Sequence, residues 1–160
     1  MSTVRTPDQP EVNPDRIVTD LASELEGDTD LVQVLIRGTQ ETDQQPPVHT
    51  HYLPDDIAPK LIVVRLRDQA GGVSPSFIGR EPIDVQTMLM AAPDVMNRRL
   101  FFNEAKRMIR GLLTGFWFES DAWIMERPLK RVRTQREPRF DTDVQRWYTT
   151  DTYFSTIRPR

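Results

Sequence analysis

The stretch from Asn97 to Leu113, NRRLFFNEAKRMIRGLL, constrains the fold more than any other, because its side chains sort into two faces only on a helix. Phe101, Ala105, Met108 and Leu112 recur at helical spacing, and Phe102, Ile109 and Leu113 widen that stripe. Arg99, Asn103, Lys106 and Arg110 fall on the opposite side, which is therefore expected to face solvent or a partner. Burying Phe101, Phe102, Met108, Ile109 and Leu112 would contribute roughly 7 to 15 kcal/mol gross, at about 1.5 to 3 per side chain, before ordering entropy is subtracted. Such a stripe needs an apolar surface to lie on. Period-2 segments flank it, Glu81 to Met90 before and Ala122 to Val132 after, so a strand, helix, strand unit is predicted at the centre.

A chain of 160 residues with 38% apolar and 28% charged residues can bury a core as one domain. That domain is predicted over residues 13–160, behind a polar arm at 1–12 that carries Pro7 and Pro10 and is expected to be disordered. The absence of Cys removes disulfides, thiolate nucleophiles and Cys-based metal sites. No apolar h-region opens the sequence and no run approaches the roughly 18 apolar residues of a span, so no membrane partner is expected and the chain is expected to stay where it is made. The net charge of −3 is unevenly distributed. Residues 1–58 hold three Arg against twelve acids, a net of −9, whereas residues 59–160 hold eighteen basic against twelve acidic residues, a net of +6. That asymmetry suits head-to-tail association and equally suits a solvated acidic surface.

Asn13, Pro14 and Asp15 make a helix start, the Ile17, Leu21, Leu25 stripe follows, and Gly27 is expected to end the helix in a left-handed conformation. Leu31 to Ile36, LVQVLI, reads as a strand, Gly38 to Pro47 as a loop, and Val48 to Tyr52 as an extended, edge-like segment. Lys60 to Arg67 is the strongest strand, with an apolar centre suited to a sheet interior. Asp68 to Ser76, containing Gly71 and Gly72, reads as a long hairpin loop, and Phe77 to Met90 as a long strand with Ile83, Val85, Thr87 and Leu89 on one face. Gly115 should terminate the central helix. Ala122 to Arg133 reads as a strand marked by Pro128, and Gln145 to Ile157 as the closing strand, with Trp147, Thr149, Asp151, Tyr153, Ser155 and Ile157 sharing a face. The order predicts an α+β domain, a mostly antiparallel sheet with two helices packed on it.

His49 and His51, with Asp55 and Asp56 nearby, form the one metal-like group, since two residues apart in an extended segment the imidazoles share a side. No third ligand is evident, so surface histidines are the preferred reading and no cofactor is expected. Arg127, Lys130, Arg131, Arg133, Arg136 and Arg139 could neutralise phosphates. Alternation on a strand would divide them between faces, and Glu137, Asp141 and Asp143 offer nearby counter-charges. Gly71 and Gly72 lack the Gly-Lys-Ser/Thr of a phosphate loop, and no G-x-S-x-G elbow occurs. Asp84 is the acid most tightly flanked by apolar positions, but one carboxylate makes no mechanism, and the chain is not expected to be an enzyme.

Taken in order, the helix PDRIVTDLASEL, the segment LPDDIAPKLIVVRLRDQAGG, the strand REPIDVQTMLMA entering a basic-faced helix, and the closing WYTTDTYFSTIRP resemble the tail terminator proteins of long-tailed bacteriophages. The likeness runs over about residues 14–160 as a succession of features, and the long segment before Asn13 and the Gly38 to Pro47 loop depart from it. It implies a small α+β subunit of a closed ring, commonly a hexamer, at the head-proximal end of the tail tube. The implied partners are other copies of the chain, the tail tube protein and a head-completion or stopper protein. DNA would pass through the lumen without sequence-specific binding. The implied location is the tail–neck junction of the virion, after assembly in the host cytoplasm. Candidate contacts are Arg99, Lys106 and Arg110 on the central helix, Gly71 and Gly72 in the Gln69 to Ser76 hairpin, and Arg136, Arg139, Asp141 and Asp143 in the Arg136 to Gln145 hairpin. The competing readings are another neck component, a tail tube subunit, a nucleic-acid-binding module built on Arg127 to Arg139 or, third, a metal-dependent enzyme built on His49 and His51.

Overall fold

The computed structural model describes residues 14–37, 47–51, 53, 59–66, 81–119 and 123–159. Three helices, α1 (Pro14–Glu26), α2 (Thr29–Ile36) and α3 (Arg98–Leu113), accompany seven strands. The strands are β1 (Val48–Thr50), β2 (Lys60–Leu66), β3 (Glu81–Ala91), β4 (Trp123–Met125), β5 (Lys130–Thr134), β6 (Arg139–Asp141) and β7 (Arg146–Pro159). They form one sheet in the order β1, β2, β3, β7, and β4, β5 and β6 share the far side of β7. All pairs are antiparallel except β1 with β2, so the α+β class holds with a mixed sheet and a third helix.

The longest pairing runs from Glu81 opposite Ile157 to Ala91 opposite Trp147. Alternation then works as the sequence requires: Ile83, Val85, Thr87 and Leu89 are buried on the same face as Thr149, Asp151, Tyr153, Ser155 and Ile157. The helices cover this face. Ile17, Leu21 and Leu25 of α1, Leu31 and Leu35 of α2, and Phe101, Phe102, Ala105, Ile109 and Leu113 of α3 join Ile62, Val64 and Tyr153 in one core. A smaller cluster of Leu61, Val63 and Met90 lies on the opposite face, which accounts for the unbroken apolar centre of β2.

The strand expected at Leu31 to Ile36 is instead α2. A six-residue apolar run does not distinguish strand from helix by periodicity, and here capping and packing decide. The Asp28 carboxylate accepts from the Leu31 amide at 2.9 Å, and Leu31, Val34 and Leu35 are buried at i, i+3 and i+4. Gly27 follows the end of α1 but is not left-handed, because positive φ among the glycines occurs at Gly115 alone of those described. Its amide instead continues to the Ser23 carbonyl at 2.9 Å. Gly115, at φ 87°, ends α3 as expected. The strand expected over Ala122 to Arg133 is two strands, β4 and β5. Between them the Leu129 amide donates to the Phe116 carbonyl and its carbonyl accepts from Gly115, both at 2.9 Å, which pulls Leu129 out of the ladder and into the core at 1% exposure. Asp28→Ala should lower stability by about 0.5 to 2 kcal/mol, read as a lower urea midpoint at unchanged slope; an unchanged midpoint would mean that packing alone holds α2.

Candidate assembly surface

The outer side of α3 meets the segments around β5 and β6, and this junction gathers part of the predicted contact set. Arg99 lies exposed in the first turn of α3, and Arg136 lies exposed between β5 and β6. With Phe102, Asn103, Lys106, Glu137, Pro138 and Thr149 they line a cleft of about 90 Å³. The rest of the predicted set lies elsewhere. Arg139 is exposed on β6, and Asp141 shapes the tight β6–β7 turn, its Oδ1 accepting from the Asp143 amide at 2.9 Å and the Val144 amide at 3.4 Å. The span from Arg136 to Gln145 is thus a short strand and a tight turn rather than one open hairpin. Gly71 and Gly72, with the whole Gln69 to Ser76 hairpin, lie outside the described residues, as do the arm at 1–12 and the Asn13 cap.

Lys106 is not the solvent-facing residue that the helical stripe implies. Its Nζ donates to the Gln135 carbonyl at 2.5 Å and to Thr149 Oγ1 at 2.9 Å, and lies 3.4 Å from Oδ1 of Asp151 with both side chains at most 15% exposed. The reason is the width of the sheet: β5 and the segment after it extend beyond β7 and cover the flank of α3. Gln135 holds that cover in place, its amide donating to the Thr150 carbonyl at 2.9 Å and its Oε1 accepting from Thr150 Oγ1 at 3.2 Å. Burial lowers the Lys106 pKa and the Asp151 carboxylate partly restores it, with Arg110 and Arg131 opposing that restoration. Arg110 Nε, Arg131 Nη1 and the Tyr153 hydroxyl are enclosed without a hydrogen-bond partner among the described residues. Burial pushes the Tyr153 hydroxyl well above the usual tyrosine range, and the Asp151 carboxylate adds to that.

Sequence reasoning missed Asp151, although its place on the same strand face as Tyr153 and Ile157 was the available signal. A carboxylate in a core face requires a cation from the covering helix. Neighbouring aromatic contacts fix the start of α3: the Arg98 guanidinium lies 3.8 Å from the Trp147 ring centroid, and Phe140 meets that ring edge-on at 5.3 Å. Arg99 has no such partner among the described residues. It also sits where the helix dipole disfavours a cation, at a cost of about 0.3 to 1 kcal/mol.

The histidine pair does not form the expected constellation. His49 lies in β1, but His51 has φ 62°, which breaks the extended geometry that would align the imidazoles. No group of three or more metal-capable side chains occurs among the described residues, and Asp55 and Asp56 lie outside them. The basic run divides as alternation requires: Arg131 registers with Tyr153 on the helix side and Lys130 with Phe154 on the other, with a bulge between Arg131 and Arg133.

No family model and no curated protein matches this sequence. The fold does find matches among solved structures. A chain in the virion of a native gene transfer agent particle superposes with a TM-score of 0.58 at 14% identity, over 86% of this chain and 91% of that one. At that identity the likeness establishes a shared fold across almost the whole of both chains. No described helix is long and apolar enough to cross a membrane.

Lys106→Met should destabilise the chain by about 3 to 5 kcal/mol, because it leaves the Asp151 carboxylate buried without its cation. Adding Asp151→Leu should recover most of that loss; a double variant as unstable as the two single changes added together would show that the side chains act independently. At alkaline pH the unfolded chain ionises its tyrosines near about 10 while Tyr153 in the folded chain holds its proton, so stability should fall as pH rises beyond that value. Tyr153→Phe should flatten the fall in denaturant titrations, and an equally steep fall would assign it to other groups.

Proposed function

We propose that this chain is a virion structural subunit of a phage-like particle, acting as a tail terminator: a ring, most simply a hexamer, that caps the head-proximal end of the tail tube. The observation that carries this reading is the shared fold with a chain of a gene transfer agent virion, covering 91% of that chain. The succession of segments that resembles tail terminators supports it independently. In this reading the ring ends tube polymerisation and offers its other face to a head-completion or stopper protein. DNA passes through the lumen, held by charge and not by base contacts. The work is binding and geometry, with no catalysis and no cofactor.

Capping requires contacts between copies that close, since an open repeat would extend the tube instead of ending it. The surface that supplies such contacts is the α3 and β5–β6 junction, where Arg99 and Arg136 lie exposed at one cleft. Arg110 and Lys106 stand behind them, so their part is to hold the surface in shape.

Electron microscopy of the purified chain mixed with tail tubes should show closed rings at one tube end, and tubes assembled in its presence should stop growing. Open stacks of this chain would indicate a tube subunit, and rings that ignore tube ends would place it elsewhere in the neck.

A further inference from the structure

The cleft between Arg99 and Arg136 has a complement in charge elsewhere on the same molecule. α1 packs on β1 and β2, at the edge of the sheet away from β5 and β6, and both α1 and α2 also pack on α3, the helix that carries Arg99. The span from Pro14 to Ile36 holds six acids and one Arg. Glu24, Glu26 and Asp30, around the α1–α2 corner, are exposed and have no ion-pair partner among the described residues. Arg99 and Arg136 are likewise exposed and unpaired among the described residues. Within one copy the two groups form no ion pair with each other among the described residues. A second copy offers each its opposite charge.

We infer that the chain binds a second copy of itself head to tail, seating carboxylates of the α1–α2 corner of one copy at the Arg99–Arg136 cleft of the next. This rests on the reading of the chain as a ring subunit, for which it supplies the contact between copies. Three features select this occupant. The cleft is small, about 90 Å³, which suits the end of an acidic side chain and excludes an inserted helix or strand. Its lining holds three cations, Arg99, Lys106 and Arg136, against one acid, Glu137, so an anion entering it meets a net positive wall. Arg99 occupies a helix position that the dipole disfavours, and no contact within the described chain offsets that placement. Two-fold pairing of either patch with itself would set like charges together. The contact is therefore between unlike patches, and where each copy gives its two patches to different neighbours its repetition builds a ring or a filament, whereas two copies exchanging both patches would stop at a dimer.

The test uses the full chain and two sets of exposed charge reversals, Arg99→Glu with Arg136→Glu, and Glu24→Lys with Glu26→Lys. Circular dichroism and melting check that each remains folded. In sedimentation at low salt the unmodified chain should associate with rising concentration, and high salt should weaken the association. Each reversed variant alone should associate at least about tenfold more weakly, because its two patches now carry one sign. An equal mixture of the two variants should recover association, since every contact again joins unlike charges. Either variant associating as strongly as the unmodified chain, a mixture that does not recover, or an unmodified chain that is monomeric throughout would overturn the inference. Its failure is distinguishable from that of the terminator reading. Tube ends capped equally well by both reversed variants would sink this contact alone, and rings that obey the charge rules but ignore tube ends would sink only the capping role.

Discussion

The antiparallel pairing of β3 with β7 is the constraint from which the remaining structure follows. It places Thr87 opposite Asp151 and Val85 opposite Tyr153, and so decides which side chains of both strands face the helices. A slip of one residue would turn every side chain of β7 to the other face, taking Asp151 away from Lys106 and bringing Thr150 and Thr152 into the core. The pair Lys106–Asp151 thus acts as a check on register. A buried ion pair contributes little net stability against an apolar alternative, but a mismatched arrangement leaves a charge uncompensated, which costs several times more. β2 adds to the free edge of β3, and the other edge of β7 is long enough to receive β4, β5 and β6 in succession. The length of β7, which far exceeds each of those three strands, is what lets a single edge carry all three.

The sequence made the long elements legible because their periodicity was uncontested. Of the stripe read from the sequence, Phe101, Phe102, Ala105, Ile109 and Leu113 lie in the core whereas Met108 and Leu112 are only partly buried against it, and the faces of β3 and β7 alternate as read. Short elements were not legible for the same reason. In Leu31 to Ile36 three β-branched residues favour a strand, and only the Asp28 cap and the contacts of α2 with α1 and α3 reverse that preference. The division between β4 and β5 depends on Leu129 bonding to Phe116, a residue outside the segment.

The candidate surface was partly legible. A helical wheel places Lys106 and Arg99 together because it knows only the helix; it cannot know how far the neighbouring sheet extends. The structure separates them by function: Arg99 keeps its exposure, whereas Lys106 is covered by Gln135 and tied to Asp151. Arg136 comes to Arg99 only through the turn that Gln135 pins, a tertiary fact with no local signature.

These two roles are physically connected. Lys106 and Thr149 line the cleft and also belong to the buried network, so the charge that holds the register contributes to the potential at the surface. Lys106, Arg110 and Arg131 lie near a single buried carboxylate, which leaves an excess of positive charge behind the cleft. In a partly desolvated site that excess is screened less than it would be on an open surface. Exposed charges paired within one chain would contribute little to its stability, so leaving Arg99, Arg136 and the acids of the α1–α2 corner unpaired costs the monomer little. Held as two separate patches of unlike sign on one subunit, the same charges carry direction when each meets a different neighbour, and direction is what distinguishes an assembly that repeats from a pair that stops at two.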